Sequence, residues 1–294
     1  MDKARRKRFE RSKDIPAHRF QDGDLEIIRA VAEHRFLNTY QIQRLTGRGI
    51  RNLRRRLQYL YHSGYLGRPG GEQDSLWMSG PMVYGLGPKG AQLLRDDKVG
   101  FDRGKIDWQR RNSKVSPYFL AHTLMIADVR IALELACRAS QDVKLVYWEQ
   151  GQHLYDRVYL PDLGQEAPIA PDAFFTLEVA GEEVSFHHFM LEVDRGTQTH
   201  RRFLLKLQAY LQWRRQGGHE RLLDITTFRV LTITNSAVRR DNLNALAKVV
   251  DERQRGLSLF LFAFDGDINV DTPDAILKPI WRCPADDEWH TLLE

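Results

Sequence analysis

The stretch PDAFFTLEVAGEEVSFHHFMLEVD, residues 171–194, decides the fold. Two runs rich in aromatic and β-branched residues, Asp172 to Val179 and Val184 to Val193, flank Ala180-Gly181-Glu182-Glu183, which predicts an antiparallel hairpin. A tight connection sets Asp172, which opens the first strand, beside residue 191 or 192 of the second. Glu192 and Asp194, two residues apart, share a strand face at a spacing of about 6.5–7 Å. Three carboxylates then meet at one end of a sheet. With water and a phosphate oxygen they make a hard-cation shell for Mg²⁺ or Mn²⁺, the metal chemistry of phosphodiester cleavage, so Asp172, Glu192 and Asp194 are the candidate metal and catalytic acids. The plainer reading is a solvated acidic strand end, and a register slip of one residue turns Asp172 to the other face.

Working outward, the pattern predicts a helix over 118–138, a strand from Val143 to Trp148, and a long Pro-containing loop from Gly151 to Ala170. After the hairpin come a helix (Thr197 to Arg215), a strand (Thr227 to Thr234), a helix (Val238 to Arg253) and a strand (Leu257 to Phe264). Residues 281–294 carry no assignment. The order α-β-β-β-α-β-α-β implies an α/β or α+β sheet with helices on its faces over 117–294. On the helix after the hairpin, Lys206 and Tyr210 stand at i, i+4 and share a face. Lys206 is the candidate cation for a phosphate and Tyr210 a candidate nucleophile, against the plainer reading of a surface pair or packed edge. Glu149 is a candidate outer acid, while His122, Asp128, His187 and His188 lack a shared geometry.

Towards the N-terminus, apolar residues recur at helical spacing from Asp24, then in a short Thr39-capped segment ending near Gly47, then at Ile50, Leu53, Leu57 and Leu60. Opposite that third stripe lie Arg51, Asn52, Arg54, Arg55 and Gln58, side chains that reach base edges or phosphates; Arg48 and Arg68 flank them. Gly64 to Arg68 and Val83 to Leu86 read as two strands of a wing around a polar tip, followed by a helix opened by Pro88. The order resembles the winged helix-turn-helix of bacterial regulators over 21–99, with 100–116 as a linker. Residues 1–20, with Arg5, Arg6, Lys7 and Arg8, read as a flexible basic arm for the phosphate backbone or minor groove. A solvated arm and a solvated Arg-rich helix are the bland alternatives.

The +5 formal charge hides a split: residues 1–116 carry 25 Lys+Arg and 13 Asp+Glu, or +12, leaving −7 for 117–294. A polyanion suits only the first part. The two cysteines, Cys137 and Cys283, show no paired spacing for zinc or redox chemistry, and no apolar run approaches a membrane span, so a cytoplasmic protein with no membrane partner is expected. Signatures of nucleotide hydrolysis, zinc proteolysis and serine hydrolysis are missing from the sequence.

The element order, together with PD at 171–172, LEVDRGTQ at 191–198 and the helix bearing Lys206 and Tyr210, resembles the replication-relaxation family of mobile elements. The resemblance implies an N-terminal winged helix joined to a PD-(D/E)XK nuclease-like mixed sheet, and the family includes the MOBC-class conjugative relaxases, which nick plasmid DNA at a transfer origin. The family's motif aspartate falls on Asp172 and its acidic pair on Glu192 and Asp194. Where the wider nuclease pattern has lysine, two residues after the glutamate, this chain has Asp194. The resemblance therefore implies a metal-dependent endonuclease of plasmid mobilisation or replication, binding double-stranded DNA, as a homodimer or with relaxosome or replication proteins. The alternatives are a non-catalytic DNA-binding regulator or accessory factor with a degenerate nuclease-like domain, and a replication initiator or recruiter.

Overall fold

The computed structural model describes residues 9–12, 19–69, 80–96, 101–112, 115–250, 256–286 and 288–294, without the side chains of 108–111. The fold is mixed α/β. It divides into two compact units, Met1–Ala127 and Asp128–Glu294.

In the first unit α1 (Asp22–Glu33) starts at a reciprocal cap: Gln21 holds the first turn while its backbone N–H donates to Asp24 Oδ2 at 2.9 Å. After β1 (Phe36–Asn38), α2 (Thr39–Thr46) is capped by Asn38, whose side chain accepts from Tyr40 N and Gln41 N; Thr39, expected as the cap, is the first helical residue. Gly47, at φ +64°, ends it and frees the chain to enter α3 (Ile50–His62). Leu53, Leu57 and Leu60 are fully buried on one side of α3. The strands β2 (Leu66–Gly67) and β3 (Val83–Leu86) complete a three-stranded antiparallel sheet in the order β1-β3-β2. Then α4 (Pro88–Arg95) opens with proline in its first turn. A Cβ at Gly87 would lie 2.4 Å from the Gly64 carbonyl, so glycine is needed where this helix starts against the chain leaving α3.

Three expectations change here. The stretch read as a linker carries α5 (Arg103–Arg111), a mostly polar segment made helical by the burial of Ile106 and an ion pair of 2.6 Å between Lys105 and Glu33. The next helix, α6 (Pro117–Ala139), is divided between the units, because its first turns bury Leu120 against Phe36 and Val83. Of the arm read as flexible, Phe9–Ser12 are held down: Arg11 donates to the carbonyls of Tyr61 and Leu66, Tyr61 Oη donates to Phe9 O at 2.6 Å, and Ser12 N donates to His62 Nδ1 at 3.0 Å. Arg5, Arg6, Lys7 and Arg8, and the wing tip at 70–79, lie outside the described residues.

In the second unit β4 (Val143–Glu149), β7 (Ala173–Val179) and β8 (Ser185–Asp194) form an antiparallel meander, interrupted before β7 by a separate hairpin of β5 (Asp156–Leu160) and β6 (Gln165–Ile169). That hairpin replaces the loop expected at 151–170. Its alternating Val158, Leu160, Ala167 and Ile169 are buried on the same core as Phe203, Leu207 and Tyr210. After β8 the helices α7 (His200–Arg215) and α8 (Gly218–Leu223) lead to β9 (Arg229–Thr234), parallel to β8; α9 (Ala237–Lys248) leads on to β10 (Phe260–Phe264), parallel to β9. The unassigned tail adds β11 (Trp281–Arg282) and β12 (Trp289–His290), giving the order β12-β11-β10-β9-β8-β7-β4. One face of this sheet, through Phe174, Met190, Val230 and Phe260, packs into the core that holds the buried row of α7. The side chains two residues beyond Met190 and two before Phe174 project on that same face.

Candidate functional site

The register of the central hairpin is Ala173 opposite Leu191, so Asp172 lies beside Glu192, and its N–H donates to Leu191 O at 2.9 Å. Asp172 Oδ2 in turn accepts from Val193 N at 2.7 Å. Glu192 is almost wholly buried and is gripped from α7: Lys206 Nζ donates to Oε2 at 2.5 Å and Tyr210 Oη to Oε1 at 2.7 Å. The i, i+4 pair read from sequence thus converges on one carboxylate. Position 194, where the wider nuclease pattern has lysine, is aspartate, and a cation, Lys206, reaches Glu192 from the facing helix.

Asp194, at the end of β8, is buried and bound to Arg239 Nε at 2.8 Å, while Arg239 also donates to Gln198 O at 2.8 Å. The other Asp194 oxygen, Oδ1, is buried with no hydrogen-bond partner. Arg239 was not among the expected residues. It could have been found from the rule that helices after parallel strands start at the strands' carboxyl ends: Ser236 caps α9 and Asp194 lies opposite Thr234, so position 239 falls over Asp194. Gln150 is a second such residue, its amide donating to Asp172 O at 3.3 Å. Glu149, the candidate outer acid, accepts from Gln150 N at 3.1 Å and lies 3.3 Å from His153 Nε2.

The electrostatics follow from this packing. Burial pushes the Glu192 carboxyl above its ordinary value, against the pull of Lys206, and the neighbouring Asp172 adds to the rise. Burial works against the Lys206 ammonium, but Glu192, Asp172 and Asp194 together outweigh it and raise Lys206. Burial and the adjacent Glu192 hold the Tyr210 phenol well above its usual range. Tyr210 is therefore an un-ionised donor to Glu192.

By chemical type the three carboxylates are donors for a hard divalent cation, and Asp194 Oδ1 is buried without a hydrogen-bond partner, but the set is not gathered at ligand distance. Their oxygens do not all lie within 4.8 Å of one another, Glu192 being paired with Lys206 and Asp194 with Arg239; the group that meets this spacing among the described residues is elsewhere, at Cys283, Asp286 and His290.

On the first unit, Arg51, Asn52, Arg54, Arg55 and Gln58 all stand exposed on α3, with Arg55 donating to Asn52 Oδ1 at 2.5 Å. Arg48 is paired with Glu26 at 3.1 Å, and Arg68 lies 3.9 Å from the centroid of the Tyr61 ring. Arg56, between these exposed residues, turns inward to the fully buried Asp24, through Nε to Oδ1 at 2.8 Å and through a second bond to Oδ2.

No helix among the described residues is long and apolar enough to cross a membrane. No curated protein and no solved structure matches the chain. A family model, described as replication-relaxation, matches residues 28–226, about two-thirds of the sequence, and spans Asp172, Glu192, Asp194, Lys206 and Tyr210 but not Arg239. The family's themes are the replication and mobilisation of mobile elements. On that match, the chain belongs to the replication-relaxation family.

Proposed function

We propose that the protein is a site-specific, metal-dependent DNA-nicking protein of a mobile element, acting in mobilisation or replication. The observation that carries this reading is the convergence of Asp172, Glu192, Asp194 and Lys206 at one end of the sheet. An antiparallel three-strand meander, a helical crossover and a parallel fourth strand, with acids on the inner strands, are the arrangement expected of a PD-(D/E)XK nuclease core. In this reading Asp172, Asp194 and Glu192 hold Mg²⁺ or Mn²⁺. The ion would supply an activated water and neutralise charge building on the phosphate.

The chain's own residues have distinct tasks. Lys206 sits among the carboxylates with its charge retained, placed to meet a phosphate oxygen. Tyr210 fixes the Glu192 carboxylate rather than attacking phosphorus, because its phenol is fully buried and un-ionised. Arg239 orients Asp194 so that Oδ1 is left for a ligand.

The first unit serves as the address. Its order α1-β1-α2-α3-β2-β3 supports reading it as a winged helix, in which α3 would enter the major groove with Arg51, Asn52, Arg54, Arg55 and Gln58, and the basic arm would follow phosphates. Arg48 and Arg68, both engaged internally, frame that face.

A second reading rests on the Asp194–Arg239 pair: if the acids are neutralised within the protein, the sheet is a scaffold and the protein a DNA-binding regulator or accessory factor. Supercoiled DNA carrying the upstream intergenic sequence, incubated with protein and Mg²⁺ or Mn²⁺, separates the two. Open circles with a mapped strand break support the nickase; saturable binding with no break under either ion supports the regulator.

A further inference from the structure

The C-terminal strands β11 and β12 pair through only two residues each, Trp281 with His290 and Arg282 with Trp289. A hairpin this short would be marginal alone; here β11 also pairs with β10, while β12 rests on β11 at the sheet edge. The loop between them begins CPAD, residues 283–286, and brings three unlike donors together: the Cys283 sulfur, a carboxylate oxygen of Asp286 and a ring nitrogen of His290 lie within 4.8 Å of one another.

We propose that Cys283, Asp286 and His290 form a binding site for a zinc-class divalent cation, with Glu294 as the residue that orients the imidazole.

Four observations carry this. First, His290 Nε2 lies 3.0 Å and 3.1 Å from the two Asp286 oxygens. Two donors at about 2.0–2.1 Å from one tetrahedral ion are about 3.3 Å apart, so a shift of a few tenths of an ångström admits it. Second, the far ring nitrogen, Nδ1, meets Glu294 Oε2 at 2.8 Å. This is the outer carboxylate that fixes the tautomer of a metal-ligating histidine and leaves Nε2 with its lone pair towards the ion. Glu294 is itself held, its Oε1 accepting from Thr291 N at 3.2 Å, beside the fully buried Leu292.

Third, Pro284 has no N–H, and the next two backbone N–H groups, of Ala285 and Asp286, are the ones that bond to the Cys283 sulfur. Backbone N–H groups directed at the sulfur are the supporting contacts a metal-bound thiolate takes. Fourth, Asp286 Oδ1 accepts from Glu288 N at 2.9 Å, and Cys283 N donates to Glu288 O at 3.3 Å, so the Glu288 backbone holds both Asp286 and Cys283.

Thiolate and carboxylate balance the two charges of the ion, the imidazole is neutral, and the exposed side of Asp286 leaves the fourth position to water. Sulfur and imidazole select a borderline-soft metal, in contrast to the all-carboxylate group around Lys206. The two sites separate cations by hardness. All four residues lie outside the stretch matched by the family model.

The test uses the full chain, stripped with a chelator and titrated with Co²⁺ and then Zn²⁺. One equivalent of Co²⁺ should bind with a thiolate-to-cobalt charge-transfer band, be displaced by Zn²⁺, and resist excess Mg²⁺. Cys283→Ser should abolish the band. His290→Ala should weaken Zn²⁺ at least about tenfold, and Glu294→Gln should weaken it about tenfold while keeping the stoichiometry. Asp172→Asn should change none of these. A wild-type chain with no charge-transfer band overturns the proposal, as does a band that survives in a Cys283→Ser chain with native circular dichroism. Should that variant misfold, Zn²⁺ affinity unchanged in folded Glu294→Gln and His290→Ala chains overturns it equally.

Discussion

At the residue scale Glu192 is the pivot of the proposed site. It is buried, faces α7, and takes one hydrogen bond on each oxygen. Replacing Tyr210 by Phe leaves Oε1 buried without a donor and should cost about 1–3 kcal/mol of stability in a denaturant titration. If Tyr210 only positions Glu192, some nicking survives that change; if the phenol were the nucleophile, none would. Lys206→Met should abolish nicking while leaving DNA affinity within a few-fold, measurable on one preparation by gel shift and plasmid relaxation. That Glu192 and Asp194 share a strand face, and Lys206 and Tyr210 a helix face, was legible from strand and helix period, whereas the side taken by Asp172 turned on a hairpin register that the sequence left open. Arg239 was not legible, because placing it over Asp194 needs the parallel pairing of β8 with β9, which no local pattern encodes. Cys283, Asp286 and His290 were missed for a similar reason: their spacing matches no familiar ligand pattern, and a two-residue strand leaves almost no period to read.

At the scale of elements, α3 carries two opposed tasks. Arg56 neutralises the fully buried Asp24, so Arg56→Leu should cost about 3–5 kcal/mol by leaving a buried charge without its partner. Arg54→Ala, on the exposed side of the same helix, should stay within about 0.5 kcal/mol of wild type yet weaken DNA binding and lower its salt slope by about 1. Equal effects of the two changes on stability would refute the division. The β5–β6 hairpin gives a pH test. Asp156 accepts from Trp213 Nε1 at 2.8 Å and from Arg221 at 2.6 Å; burial works against its charge, but these donors and the Arg157 N–H win and hold its carboxyl below the ordinary value. A depressed folded value means the stabilisation is present above the ordinary carboxylate range and lost as pH falls through the folded one. Asp156→Asn should therefore lower the melting temperature at neutral pH, with the gap closing in acid; a gap constant with pH would contradict the assignment. This hairpin was read as a loop because Pro161 and Pro168 interrupt it, and its short alternation is outweighed locally by Gly151, Gly164 and the acidic residues between.

At the scale of the whole molecule the charge split is +12 over 1–116 and −7 beyond: a polyanion suits the first part, as the proposed address requires, whereas the net −7 of the second favours the non-catalytic reading, since a DNA-cutting channel is usually electropositive. The mixed α/β fold was legible because long periodic segments, such as α6, α7 and the run from 171 to 194, carry their own signal. The tail and α5 were not, because tertiary contacts rather than local pattern make them regular. The central claim is that the acids around Lys206 cut DNA which the first unit selects. Its most direct measurement is the nicking rate of the wild-type chain, Asp172→Asn and Glu192→Gln on one supercoiled substrate at saturating, matched DNA occupancy in Mg²⁺ or Mn²⁺. The expected result is strand breakage by the wild type and a loss of at least about a hundredfold in each variant; breakage that persists undiminished in both, or a wild-type chain that binds the site and never cuts it, would contradict the claim.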